Sequence, residues 1–323
     1  MEYRAIPSTG LIVSRMCLGT MMFGGQTEKE AAKDIIKAAL DGGVNFFDTA
    51  NIYNGGASEE IVGEALKDSR SDVIIASKVG AGRPGVPNGN GLGRKHMLKS
   101  LEASLKRLGT DYLDIFYCHA PDHITPAEEI IQTMDLLIKQ GKIRYWGVSN
   151  FAAWEICSII EKARAMNCAA PVVTQSVYNL LTRGADEELI PFVKSYGIGM
   201  VPFNPLAGGL LTGKHSRESA ADNTRFTRDK MYFARYWKDQ NFDAIDLLKG
   251  VADEAGISLI ELAVRWLLSE PAITAPILGV SRREQIIQNM QLVEKGPLPA
   301  DVREKCGAAW AMIKGDYFSY HKD

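Results

Sequence analysis

The sequence predicts a single (β/α)8 TIM barrel over residues 1–323, with an N-terminal hairpin and a long insertion between the seventh and eighth strands. Three observations predict it: eight short β-type runs, amphipathic helical patterns between them, and a repeat of about thirty residues uninterrupted by a Pro/Ser/Gly-rich linker. Residues 2–14, with turn chemistry at Pro7-Ser8-Thr9-Gly10, read as a hairpin capping the barrel floor. The strand runs follow at 15–20, 45–50, 73–79, 112–118, 143–149, 171–177, 198–203 and 273–280.

Between the strands, Leu98, Leu101, Leu105 and Leu108 recur on one helix face, and Ile130, Met134, Leu137 and Ile138 repeat the pattern. Thr125-Pro126 opens the second of these helices with Glu128 and Glu129 in its first turn; Gly109 and Gly141 close the two. The spacing breaks after the seventh strand, where 206–272 carries a basic loop and helices near 241–255 and 258–269. Insertions of that length are commonly functional or disordered.

Composition narrows the function classes. With 37 basic and 39 acidic side chains in 323 residues, no global charge favours nucleic acid or a membrane surface. The chain start carries charges and Pro7 where an export signal needs an apolar core. Cys17, Cys118, Cys157, Cys168 and Cys306 are odd in number and lack CxxC spacing, which fits reduced thiols, no metal site and a cytoplasmic location. Alternation turns Cys118 away from the face that His119 shares, so Cys118 reads as structural.

In such a barrel reactive groups come from the carboxyl ends of different strands. NFFD ends in Asp48 with Tyr53 in its loop, VIIASKV places Lys78, and YLDIFYCH ends in His119. Taken singly, a tyrosine beside Gly55-Gly56 is a turn residue and a histidine after a strand is merely hydrogen-bonded. On one rim, the four suit proton delivery to a carbonyl. Lys78 would lower the phenol's pKa from its free value of about 10, Asp48 would keep the ammonium charged, and His119 would orient the carbonyl.

The Gly80-Ala-Gly-Arg-Pro-Gly85 match to GxGxxG opens no helix, so 80–93 reads as a rim loop and not as a dinucleotide fingerprint. A better anion site follows the seventh strand. Asn204, Pro205, Leu206, Ala207, Gly208, Gly209, Leu210, Gly213 and Lys214 form a glycine-rich turn whose backbone N–H groups can approach a pyrophosphate. Residues 214–238 add seven Lys or Arg against three acids. After the eighth strand, Gly279 and Ser281 lead into a helix start beside Arg282, with Gln285 and Asn289 on one helical face.

These residues resemble the aldo-keto reductase superfamily along essentially the whole chain: LGTMMFGG, DTANIYNGG, ASKV, GVSNF, TQSVYN, NPLAGGLLTGK and GVSRREQIIQN fall in its order and spacing. FYCHAPDHITPAEE, GVSNFAAWEI, RYWKDQNFDAI and EKGPLP look most like its aflatoxin aldehyde reductase subfamily. The resemblance implies an NADP(H)-dependent aldehyde reductase with Tyr53 as proton donor, supported by Asp48, Lys78 and His119. It also implies a homodimer. Cofactor contacts carry over to Asp48, Ser149, Asn150, Gln175, Phe203, the 204–214 turn, Arg225, Ser281, Gln285 and Asn289, and substrate contacts to Tyr232 and Arg235. Arg282 is added here for a 2′-phosphate. An arginine that the subfamily carries near the carboxyl terminus is replaced around Ser319. Two rival readings stand beside this one: a barrel lyase using Lys78 as a Schiff-base nucleophile, and a nucleotide-sensing protein of low turnover, like barrel subunits of ion channels.

Overall fold

The computed structural model describes residues 1–83, 85–222 and 224–315. Pro84 of the 80–93 loop and Ser319 lie outside the described residues. Strands β1 (Tyr3–Ala5) and β2 (Ile12–Ser14) pair antiparallel with Arg4 opposite Val13, as the hairpin expectation requires. Eight parallel strands follow: β3 (Cys17–Gly19), β4 (Phe46–Asp48), β5 (Ile74–Val79), β6 (Leu113–Cys118), β7 (Ile143–Ser149), β8 (Val173–Gln175), β9 (Gly199–Met200) and β10 (Ile277–Gly279). Each lies within the run expected for it. β10 pairs with β3, and the sheet meets its other edge through the Met200–Ile273 bridge, with Thr274 N donating to Met200 O at 2.8 Å and Ile277 N to Pro202 O at 2.8 Å. This is the (β/α)8 barrel.

Helices α1 (Lys29–Asp41), α2 (Ala57–Leu66), α3 (Arg94–Leu108), α4 (Ala127–Lys139), α5 (Ala153–Ala165) and α6 (Leu189–Tyr196) connect the first seven barrel strands. The insertion carries a short 3-10 turn (Ala207–Thr212), α7 (Arg225–Arg228), α8 (Lys230–Tyr236), α9 (Asp239–Glu254) and α10 (Leu259–Leu268). The last two match expectation, whereas α7 and α8 were not foreseen. α11 (Arg283–Glu294), α12 (Ala300–Lys305) and α13 (Gly307–Lys314) follow β10. Among the described residues no helix is long and apolar enough to cross a membrane.

The core divides in two. Ile6, Val13, Cys17, Phe46, Ala76, Ile115, Tyr117, Val173, Val201, Ala275 and Ile277 fill the barrel interior, and a larger apolar layer lies between sheet and helices. Side chains alternate across a strand, so Phe46, Ala76, Tyr117 and Val173 set the inward phase for Asp48, Lys78, His119 and Gln175 two residues on. Cys118 accordingly packs in the outer layer. At the opposite end, Arg15 is buried and donates to the carbonyls of Ile273 at 2.5 Å, Thr274 at 2.7 Å and Leu268 at 3.0 Å, tying the chain before β3 to the segment before β10. Burial pulls its pKa down to about 10.

α2 and α3 meet where Gly63 lets the helices touch: a Cβ there would fall 2.3 Å from the Leu108 carbonyl oxygen. Gly63→Ala is therefore expected to destabilise the protein by about 1–3 kcal/mol through backbone displacement, despite alanine's better helix propensity. Side-by-side urea denaturation checks this; an unchanged midpoint would show that the contact yields freely.

Candidate active site

β4 is short, and its buried Phe46 and Phe47 fix the strand end from both faces, presenting Asp48 to the barrel mouth. β5 brings Lys78, fully buried, against it. The Lys78 Nζ is paired with Asp48 Oδ1, and donates to Thr49 O at 2.7 Å and towards the Tyr53 hydroxyl at 3.5 Å. Asp48 Oδ2 accepts from Gln175 Nε2 at 2.9 Å. The carboxylate thus has two donors on two strands, which is what allows a charge to sit almost without solvent.

Tyr53 opens a turn in which Asn54, Gly55 and Gly56 have φ of 50°, 67° and 101°. Three successive left-handed residues reverse the chain at once, which two glycines and an asparagine tolerate. Asn54 Nδ2 pins the turn by donating to Met21 O at 2.9 Å and Phe23 O at 2.7 Å. The Tyr53 and His119 rings meet edge to face, with centroids 6.1 Å apart.

Electrostatics correct one expectation. Burial raises the Tyr53 pKa and outweighs the lowering pull of Lys78, so the net direction is upward. The phenol keeps its proton through the neutral range, and the ammonium limits how far burial can lift it. Burial would strip Lys78 of its proton, but Asp48 and Tyr53 reverse this and its pKa is raised. Burial first, then Lys78, lowers His119 to about 3, making it a neutral imidazole. Its Nδ1 is buried and finds no partner among the described residues.

These groups open into a cavity of about 600 Å³ at the carboxyl ends of the strands. Of the expected site residues, Asp48, Tyr53, His119, Ser149, Asn150, Gln175, Phe203, Asn204, Pro205, Leu206, Gly208, Gly209, Lys214, Arg225, Tyr232, Arg235, Gly279, Ser281 and Gln285 line it. Lys78 sits behind Asp48, and Ala207 and Leu210 are buried in the outer core layer. Gly213, Asn289 and Arg282 do not line the cavity; Asn289 is buried on α11 and Arg282 is exposed at its start.

The glycine-rich turn is bare for a reason. Gly208 and Gly209 have φ of 71° and 111°, and a Cβ on Gly208 would meet Tyr232 Cδ1 at 2.8 Å. Asn204 Oδ1 accepts from Gly208 N at 2.6 Å and holds the turn closed. Lys214, Arg225 and Arg235 line the same cavity without a carboxylate partner among the described residues. Gln285 Oε1 accepts from Ser281 N at 2.9 Å and Arg282 N at 3.2 Å, ordering the start of α11. Bare backbone, three cations and the Phe203 ring suit an elongated anionic ligand ending in an aromatic ring, next to an orphaned imidazole nitrogen.

Sequence reasoning had not foreseen Met21, Met22, Gln26, Ile52 and Met231 in the lining. They sit on loops and the unforeseen α8; Met21, Met22 and Ile52 fall within LGTMMFGG and DTANIYNGG, which mark the family but not which of their side chains face the cavity, and Gln26 and Met231 carry no such signal. The Gln175 bond to Asp48 was not foreseen either; the inward alternation of Val173 and Gln175 is the signal that could have pointed Gln175 towards the same mouth.

The Aldo/keto reductase family profile matches residues 15–311. A "Probable voltage-gated potassium channel subunit beta" of Oryza sativa subsp. japonica is 38% identical over 305 residues, covering 92% of this chain and 93% of its own length. The protein of the same name in Arabidopsis thaliana is 39% identical with the same coverage. "Aflatoxin B1 aldehyde reductase member 2" of Rattus norvegicus is 34% identical over 323 residues, covering 94% and 87%. The aflatoxin aldehyde reductase group that the sequence resembles is thus among the relatives, as are proteins named for the channel-subunit class of the rival reading; the family pattern spans the barrel from β3 to α13, and the chain belongs to the aldo/keto reductase family.

Proposed function

We propose that the protein reduces aldehydes, and reactive ketones or dialdehydes, to alcohols with NADPH, using Tyr53 as general acid. The observation that carries this reading is the Tyr53 hydroxyl 3.5 Å from a buried Lys78 ammonium that is itself paired with Asp48. The dinucleotide would supply the hydride. Ser149, Asn150 and Gln175 would hold its carboxamide end and Phe203 its ring. The glycine turn with Lys214 and Arg225, and the α11 start with Ser281 and Gln285, would take its phosphates.

Tyr53 gives its proton to the carbonyl oxygen as negative charge develops there, and Lys78 stabilises the phenolate left behind. Asp48 keeps Lys78 charged and Gln175 keeps Asp48 aimed. Neutral His119 orients the carbonyl without competing for the proton. A Schiff-base role for Lys78 fits less well, because that lysine is fully buried and held protonated, whereas a nucleophile needs a free amine.

A second reading, an NADP(H)-holding subunit with little turnover, is favoured by the names of the two plant relatives. NADPH oxidation across carboxylated aldehydes, dialdehydes, quinones and sugars separates the two. Repeated turnover on at least one class is expected, and tight NADPH binding with no oxidation on any would favour the second reading. A parallel NADH series is expected to be poorer, given Lys214 and Arg225. Cytoplasmic residence and a homodimer complete the proposal, with sedimentation velocity as the check on the latter.

A further inference from the structure

The first turn of α2 carries two fully buried polar side chains, Ser58 and Glu59. Ser58 Oγ lies 2.8 Å from the Thr20 hydroxyl and 2.9 Å from that of Thr49, and Thr20 Oγ1 donates to Asp48 O at 2.9 Å. That network fixes the end of β4. Glu59 reaches the other way. Its Oε1 accepts from Ser77 Oγ at 2.5 Å, one residue before Lys78 on β5, and its Oε2 accepts from Arg107 Nε at 2.7 Å and Nη2 at 2.6 Å.

Arg107, near the end of α3, lies along the backbone of Gly56: a Cβ there would be 2.7 Å from its Cδ and 2.8 Å from its Nε. Gly56 closes the turn that Tyr53 opens. One buried carboxylate therefore joins the strand that carries Lys78, the helix that follows Tyr53, and the arm that supports the Tyr53 turn from behind. A buried ion pair is a poor source of stability beside apolar packing, and fixing register is its best-attested use.

We propose that Glu59 and Arg107 are positioning residues that set the distance between the Tyr53 hydroxyl and the Lys78 ammonium. The proposal rests on the tyrosine-acid reading. It adds that the 3.5 Å spacing is imposed from outside the cavity, by a pair that touches neither cofactor nor substrate. The charged or titratable groups facing the Tyr53 phenol are Lys78 and Asp48 from the barrel, His119 from the loop after β6, and Tyr232 from α8. Neither Glu59→Gln nor Arg107→Lys alters any of these groups. Movement of the alkaline limb of kcat therefore reports the Tyr53–Lys78 spacing.

The test compares Glu59→Gln, Arg107→Lys and Tyr53→Phe for kcat, KM, NADPH affinity by fluorescence, and the pH profile of kcat. Both positioning variants are expected to lose about ten- to a hundredfold in kcat, as small misplacements of reacting groups do. NADPH affinity should hold, and the alkaline limb should move to higher pH as the phenolate loses the nearby ammonium. Arg107 is partly exposed, so Arg107→Lys decides the matter if Glu59→Gln fails to fold. Unchanged kcat, or a lower kcat with an unmoved limb, overturns the proposal and leaves the pair a scaffold contact between α2 and α3. Undiminished turnover in Tyr53→Phe would instead remove the tyrosine-acid reading, whereas an inactive Tyr53→Phe beside normal Glu59→Gln and Arg107→Lys removes positioning alone.

Discussion

Tyr53→Phe is expected to lower kcat by about a hundred- to ten-thousandfold, the range over which a positioned general acid contributes. The substitution is clean because it removes little else. The ring can keep its edge-to-face contact with His119, and Lys78 keeps Asp48 and the Thr49 carbonyl, so no charge is orphaned. Stability should therefore change by no more than about 1 kcal/mol, the usual net worth of one hydrogen bond. NADPH affinity, measured by fluorescence, should stay close to that of the parent, since the proposed mechanism sets the phenol against the carbonyl and not the phosphates.

The pH dependence of the parent follows from the same groups. On the proposed mechanism Tyr53 is the acid and must be protonated; its pKa is raised, so turnover is expected to be lost only as pH climbs through a value above the ordinary phenol range. His119, lowered to about 3, is already neutral well below pH 5 and supplies no acid limb near neutrality. A kcat profile flat from weakly acidic to neutral pH and falling in alkali is the expected outcome. Full turnover in Tyr53→Phe, or a steep acid limb near the ordinary histidine value that vanishes on replacing His119, would sink the assignment.

Much of the tetrad was legible because alternation along short apolar strands is a strong rule. Phe46 inward makes Asp48 inward, and the same phase carries Lys78 and His119. Closure of the barrel then brings strands distant in sequence to one rim. The insertion was less legible. α7 and α8 are four and seven residues long, too short to show a helical period, so Arg225, Tyr232 and Arg235 could be named through the family resemblance but the helices that set them into one wall could not. Glu59 escaped for another reason: an acid in the first turn of a helix looks like an exposed dipole partner, and only packing against Ser77 and Arg107 reveals it as buried. The net direction of the Tyr53 pKa was misjudged on similar grounds. The neighbouring ammonium could be inferred from strand order, but the loss of solvent around the phenol depends on loops that the strand pattern does not place.

Lys78→Met is expected to do the widest damage, removing turnover and about 3–5 kcal/mol of stability together. Methionine fills the space but leaves Asp48, itself almost without solvent, with the Gln175 amide as its remaining donor. The stability loss is chiefly the cost of an uncompensated buried charge, not the net value of the pair. Adding Asp48→Asn removes that charge and should restore most of the folding free energy, giving a strongly non-additive cycle. Turnover should not return, because the phenolate still lacks its ammonium. Denaturation curves for the single and double variants, set beside kcat for each, separate the two roles. If Lys78→Met were as stable as the parent, the carboxylate would have another partner; if the double variant regained turnover, the ammonium would serve folding and not proton transfer. Stability restored without activity is the result that assigns Lys78 to the stabilisation of charge on Tyr53, and Asp48 to keeping that lysine charged inside a barrel that would otherwise neutralise it.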